Sequence, residues 1–185
     1  MIRTKKIVFI GLFSAMAFIL MSTITIPIIP YAPYLRYDPS EIVSIFAAIL
    51  FGPWVGVAVC FFKDLFYFLF RAVSIFGPTS DFLASSTFTF IVGIFYSKYK
   101  SKKSIIYGGI IGTIVRVIFM IPLNIVILNL QFGFSLEQVL DMVLPILIPF
   151  NGLKSLINFV GIYYIFSFLL SREYIKKLSF DNHHI

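Results

Sequence analysis

The sequence is poor in charge, in sulfur and in imidazole, and each shortage closes a class of function. Only 12% of the 185 residues are Asp, Glu, Lys or Arg, about half of what a soluble globular domain carries. A soluble enzyme or carrier is therefore excluded. Cysteine occurs once, at Cys60 inside an apolar run. No disulfide can form within the chain, and no Cys-x-x-Cys metal site exists. The only histidines are His183 and His184 in the tail, either native or left from a purification tag. Without an intramembrane histidine, an HExxH zinc protease and a Ser–His intramembrane protease are both out. No Walker A sequence is present, so the chain does not itself hydrolyse ATP through a P-loop. An aspartyl protease needs two carboxylates that share a site, and Asp64 has no obvious second. There is also no internal repeat of the kind that builds many secondary transporters. No catalytic residue, metal or cofactor is expected.

What fills the chain instead is apolar surface. Hydrophobic residues make up 59% of it, with 23 Phe and 10 Tyr, and the mean hydropathy is +0.98. This is the composition of an all-α integral membrane protein, and the length allows about six spans of roughly 20 residues. The apolar runs predict spans over about 7–29, 41–51, 54–71, 81–96, 104–130 and 143–170, forming one transmembrane domain across 1–185. The net charge of +7 raises nucleic acid as a partner, but the basic residues sit at membrane edges, so that partner is rejected in favour of lipid.

Basic residues also orient the chain. With the N-terminus inside, Arg3, Lys5, Lys6, Lys98, Lys100, Lys102, Lys103, Arg172, Lys176 and Lys177 are all cytoplasmic, and only Arg36 and Arg71 lie outside. The positive-inside rule then predicts both termini in the cytoplasm. Between the first two spans, Pro27, Pro30 and Pro33 break the helix, and the tyrosine-rich loop 28–40 lies outside. Its tyrosines are either an interfacial belt or a lid over a planar ligand. Asp38 or Ser40 can cap the next helix, with Glu41 in its first turn. On the first span, Gly11 and Ala15 form a small-xxx-small pair. They allow close approach of a helix, from another protein or from the same chain.

Polar residues inside the spans carry the functional signal. Asn151, Lys154 and Asn158 fall at i, i+3 and i+7, on one helical face. A buried charge costs at least ~2.5 kcal/mol on insertion scales, so the stripe should face a cavity, a partner or a substrate. Amides plus an ammonium suit a polar heterocycle better than a simple ion. The plainer alternative is that the stripe only ties this helix to its neighbours. Asn124 and Asn151 fall in the outer half, where with Lys154 they can line an outward-facing pocket beneath the tyrosine loop. Asp64 and Arg116 lie at similar depth near mid-membrane, which predicts an ion pair between the third and fifth spans. Lys63 and Lys154 compete for Asp64. Adjacent Lys63 and Asp64 point about 100° apart and are not expected to pair well.

Tyr37-Asp38-Pro39-Ser40-Glu41-Ile42, Phe51-Gly52-Pro53-Trp54-Val55-Gly56-Val57 and Lys63-Asp64-Leu65 occur in that order. Asp81-Phe82-Leu83, Gly93-Ile94-Phe95-Tyr96 and Pro149-Phe150-Asn151 with Lys154 follow. This series resembles riboflavin-specific substrate-binding (S) components of energy-coupling factor (ECF) transporters, from about residue 11 to 170. The Phe-Gly-Pro-x-x-Gly turn is shared across several vitamin S components, whereas Pro-Phe-Asn-x-x-Lys is closer to the riboflavin type. Family members often carry Asn where Asp64 and Asp81 stand here.

The resemblance implies a multi-pass protein of a prokaryotic cell membrane that binds riboflavin near the extracellular face, under the first loop, as transported substrate. It implies partners: a transmembrane coupling protein, EcfT, and two cytoplasmic ATPases, with Gly11 and Ala15 as the docking surface. It also places Asn124, Asn151, Asn158, Lys154 and Asp81 against the polar parts of the flavin. Tyr34, Leu35 and Phe82 would cover its dimethylbenzene side. The alternatives are an S component for folate, thiamine or its pyrimidine precursor, or a membrane scaffold without transport.

Overall fold

The computed structural model describes residues 2–171, with side chains over 4–168. The side chain of Arg3, the basic tail residues Arg172, Lys176 and Lys177, and His183 and His184 lie outside the described residues. The helices are α1 (Ile2–Thr23), α2 (Ser40–Phe51), α3 (Pro53–Phe70), α4 (Phe76–Tyr99), α5 (Lys102–Phe132), α6 (Leu136–Met142) and α7 (Ile148–Ser171). A single π-helical turn, Val143–Leu147, joins α6 to α7, so the last three pieces run on as one bent segment and the bundle has six members. Among the described residues, four stretches are long and apolar enough to cross a membrane: Thr4–Thr23, Pro53–Phe70, Lys102–Phe132 and Leu136–Phe168.

Local chemistry explains the breaks. Gly52 ends α2 at φ 103°, a conformation that side chains resist, and Pro53 begins α3 at its first position, where a missing N–H costs nothing. Lys100 turns left-handed after α4, and Ser101 caps α5 reciprocally with Ser104. Helix α4 begins earlier than the 81–96 run suggested. Pro78 sits in its first turn, where backbone donors are free anyway. The stretch 131–142, expected as a loop, contains α6, started by a capping box between Ser135 and Gln138.

Two further features depart from the plain helical expectation. The proline-rich connection forms a two-stranded antiparallel ribbon, β1 (Ile26–Pro27) with β2 (Arg36–Tyr37). The prolines forbid a helix there, and the ribbon satisfies part of the backbone instead. At the π turn, Pro145 has no N–H to offer. The ladder widens, and the Ile148 N–H reaches the Val143 carbonyl five residues back.

Helix α2 is the shortest of the six bundle members and the most enclosed. It touches α1, α3, α4 and α7, and Ser44, Ile45, Ala47 and Ala48 are fully buried. From mid-bundle to the α4–α5 turn the interior is apolar, built on Ile45, Ile49, Phe88, Val92, Ile105, Ile162 and Phe166. At the other end, under the β1–β2 ribbon, the helices part around a chamber.

Candidate functional site

The chamber has a volume of about 490 Å³ and is walled by the ribbon, the α3–α4 connection, the C-terminal half of α5 and the start of α7. The ribbon reaches it with Tyr34, Leu35, Arg36 and Asp38. Helix α5 contributes Arg116, Met120, Asn124, Ile127, Leu128 and Gln131, and α7 contributes Phe150, Asn151 and Lys154. The α5 residues recur at helical spacing, so one stripe of that helix faces inward. The ribbon is held by apolar contacts: Ile29 and Ala32 pack with Phe150, and the Tyr34 ring lies 5.2 Å from that of Phe132. Burial pushes the phenol of Tyr34 above its usual pKa. Tyr37 is shifted the same way by burial, then by the negative charges of Asp38 and Glu41. Both phenols are neutral at physiological pH.

Two charge networks frame the chamber. In the first, Lys154 Nζ lies 2.5 Å from Asp81 Oδ1 and 3.3 Å from Asp38 Oδ2. Lys63 Nζ takes the other Asp81 oxygen at 2.5 Å and Asp64 Oδ1 at 3.1 Å. Asp38 Oδ1 also accepts from the backbone N–H and the hydroxyl of Ser40. One acidic side chain of α4 thus joins α3 to α7, and Lys154 ties α7 to the end of the ribbon. In the second network, Arg116 Nη1 donates to both Glu41 oxygens at 2.8 and 2.9 Å. Asn158 Nδ2 donates to Glu41 Oε2 at 2.7 Å, and Arg116 Nε to Asn151 Oδ1 at 3.4 Å. Lys63, Arg116, Glu41 and Asn158 are at most 1% exposed. Buried charges persist only when paired and hydrogen-bonded, and these are.

This arrangement corrects the expected Asp64–Arg116 pair. Arg116 is matched by Glu41, which comes from the first turn of α2, while Asp64 is matched by Lys63. The lysine stem is long enough to swing its ammonium back over the neighbouring position, so the two adjacent residues do pair. Phe82 is also placed differently: it packs edge-on against Phe61, 5.7 Å between centroids, and is not part of the chamber wall. Asn158 lies behind Glu41 and does not reach the chamber either. Tyr34, Leu35, Asp81, Asn124, Asn151 and Lys154 do line it.

The amides differ in what they have left to offer. Asn151 Nδ2 donates to the Leu147 carbonyl at 2.9 Å, in the turn that follows Pro145. Asn124 Nδ2 is buried and has no partner among the described residues. A buried amide donor left unpaired costs about 1–3 kcal/mol, and this one belongs to a chamber-lining residue. Glu41 is the residue that sequence reasoning missed as a site component. Its place in a helical first turn offered an adequate explanation by itself, and the signal was there only in asking what neutralises Arg116.

On α1, Ser14 and Ala17 are fully buried against the bundle. Gly11 and Ala15 are exposed. A methyl group added at Gly11 would meet nothing within 4 Å.

A multi-pass helical bundle with a polar chamber toward one end, framed by paired charges, defines a membrane protein that binds a small molecule. Residues 5–166 match the family described as "ECF transporter, substrate-specific component", and the chain belongs to that family of transporter substrate-binding subunits. It is 32% identical to the riboflavin transporter RibU of Staphylococcus aureus over 182 residues, 95% of each chain. It is 28% identical to the riboflavin transporter RibU of Streptococcus thermophilus, over 92% of this chain and 85% of the relative. It is also 25% identical to the riboflavin transporter FmnP of Bacillus subtilis, over 84% and 86%. A solved structure described as the S component of a bacterial ECF transporter superposes with a TM-score of 0.79 at 32% identity, covering 92% of this chain and 98% of that one.

Proposed function

We propose that the chain is a riboflavin-binding subunit that captures the vitamin in this chamber from outside a prokaryotic cell. Delivery inward depends on a coupling protein and two ATPases. The relatives named above are riboflavin transporters, and the family supplies substrate specificity to a transporter rather than catalysis. The chemistry of the chamber supports the ligand. Its volume falls within the range of small-molecule sites. Its lining combines apolar and aromatic groups, from Tyr34, Leu35, Met120 and Phe150, with the amides of Asn124 and Asn151 and the ammonium of Lys154. A flavin calls for both kinds of group, with an apolar dimethylbenzene body and a polar pyrimidine-dione edge with a polyol. The observation that carries the proposal is the unpartnered Asn124 amide inside a chamber that also holds Asn151 and Lys154.

The orientation follows from charge. Lys98, Lys100, Lys102 and Lys103 cluster where α4 turns into α5, at the end of the bundle opposite the chamber. With that end cytoplasmic, the chamber opens outward. Gly11 and Ala15 are the proposed docking surface for the coupling protein, because α1 turns them away from its own bundle.

The test is a visible spectrum. Protein purified in detergent from cells grown with riboflavin is expected to be yellow, with the quenched fluorescence of a flavin held against aromatic rings. A colourless preparation that also ignores added riboflavin would overturn the ligand.

A further inference from the structure

Resting on the riboflavin reading, one residue of the chamber stands out. Arg116 forms the inner limit of the α5 stripe. Two turns separate it from Asn124, about 12 Å along the helix. Its guanidinium has five N–H groups in a fixed plane and no acceptor. Nη1 is spent on the two oxygens of Glu41, and Nε faces Asn151 Oδ1. Nη2 makes no hydrogen bond to any described residue, although Arg116 lines the chamber. Glu41 in turn is held by Asn158 Nδ2, so the orientation of the fork is fixed from behind by residues that never reach the ligand.

We propose that Arg116 is a specificity-determining residue that reads the pyrimidine-dione edge of the bound flavin. In this arrangement Nη2 donates to a ring carbonyl, and the free lone pair of Asn151 Oδ1 accepts from the adjacent ring N–H. The choice of edge follows from hydrogen-bond inventory. A ribityl hydroxyl brings its own O–H and needs an acceptor as well as a donor. A carbonyl needs only a donor, which is all that a guanidinium can be. Next to the fork, Asn151 has its Nδ2 committed to Leu147 and its Oδ1 only half used. Donor and acceptor therefore stand side by side, matching the carbonyl and N–H of the dione. Glu41 neutralises the charge, so Arg116 contributes direction rather than net attraction. Glu41 and Asn158 act as positioning residues.

The experiment is a comparison of ligands across variants, read by fluorescence quenching in detergent. Riboflavin is compared with 2-thioriboflavin and 4-thioriboflavin, in which sulfur replaces a dione oxygen and accepts hydrogen bonds poorly. The native protein is expected to bind at least one thio analogue tenfold or more weakly than riboflavin. Because removing Arg116 alone would strand Glu41, Glu41→Gln and Arg116→Met are combined. In this double variant riboflavin binding weakens, and the preference over the same analogue shrinks to within about twofold. Retained discrimination, with both ligands weakened in proportion, would overturn the proposal and leave Arg116 a structural support. If the double variant cannot be recovered folded, Glu41→Gln alone keeps the guanidinium but loosens it. Its discrimination should fall at least threefold, and unchanged discrimination would equally overturn the proposal. A native protein that binds no riboflavin at all is a separate result, which removes the underlying function as well.

Discussion

From mid-bundle to the α4–α5 turn, the helices meet through Phe88, Val92, Ile105, Ile162 and Phe166, all at most 1% exposed. Glycines there let backbones close up: a methyl group at Gly56 would stand 2.5 Å from Ala48 Cβ, and one at Gly93 2.9 Å from Pro53 Cα. At the opposite end the same helices are held apart, and charged side chains link them across a cavity. The difference assigns two jobs to two ends. Close packing of apolar groups gives shape without polar commitments. Ion pairs give fixed donors and acceptors, but only while each charge keeps its partner. Helix α2 belongs to both ends, with Ile45 and Ile49 in the packed core and Glu41 under the chamber floor. Stability and binding therefore meet in α2, and substitutions along it separate them.

The largest expected effect comes from removing Glu41. Glu41→Ala leaves the Arg116 guanidinium and the Asn158 amide without their acceptor in a site excluded from water. Breaking a buried pair from one side costs about 3–5 kcal/mol, enough to lower the thermal midpoint in detergent substantially. A double replacement, Glu41→Leu with Arg116→Met, should recover much of that stability, because a matched apolar pair carries no stranded charge. It should not recover riboflavin binding. Equal stability of Glu41→Ala and the native protein would show that the charged end does not depend on this pair.

A smaller effect sharpens the same contrast from the ligand's side. Asn124→Ala deletes a donor that has no partner among the described residues. Riboflavin affinity is expected to fall by about 1–3 kcal/mol, while the thermal midpoint of the ligand-free protein stays level or rises. Titration calorimetry and thermal unfolding of the same preparation give the two numbers. A loss of stability without a loss of affinity would move Asn124 from the binding half of the comparison to the packed half.

How much of this could be read from the chain follows the same division. The apolar runs, the proline breaks and the Gly52-Pro53 turn each act locally, so the membrane class and the six-part bundle were readable directly. So was the Asn151–Lys154 stripe, since a polar residue inside an apolar span needs a reason wherever it points. Pairings were harder. Arg116 and Glu41 are 75 residues apart, and counting depth along the spans puts Asp64 as close to Arg116 as any other acid. Depth says nothing about which face of a helix turns toward which neighbour, and the facing decided it. Phe82 failed for the same reason, being one position along the helix from Asp81 and so turned about 100° away, onto Phe61. The capping box at Ser135 and Gln138, by contrast, was visible in the sequence as the start of a short helix in a stretch read as loop.

The smallest expected effect tests whether α1 belongs to neither half. Glycine is costly within a helix, by roughly 0.5–1 kcal/mol relative to alanine, so an exposed glycine with open space around it asks for an explanation outside the fold. Gly11 is such a residue: it is exposed, and no neighbour lies within 4 Å of an added methyl group. Gly11→Leu should therefore leave riboflavin affinity unchanged and raise stability by no more than about 1 kcal/mol, the helix penalty of the glycine it removes. Assembly is where the change should register, because a bulky side chain keeps a second helix from the close approach that small residues permit. Copurification with the coupling protein and its ATPases is expected to fall sharply, and uptake of riboflavin by cells with it. If Gly11→Leu assembles normally, the outward face of α1 serves lipid alone and docking must be sought on another helix. If it loses ligand affinity instead, α1 is coupled to the chamber through Met21, which lines it one helix turn beyond Ala17, and the separation of the two ends is incomplete.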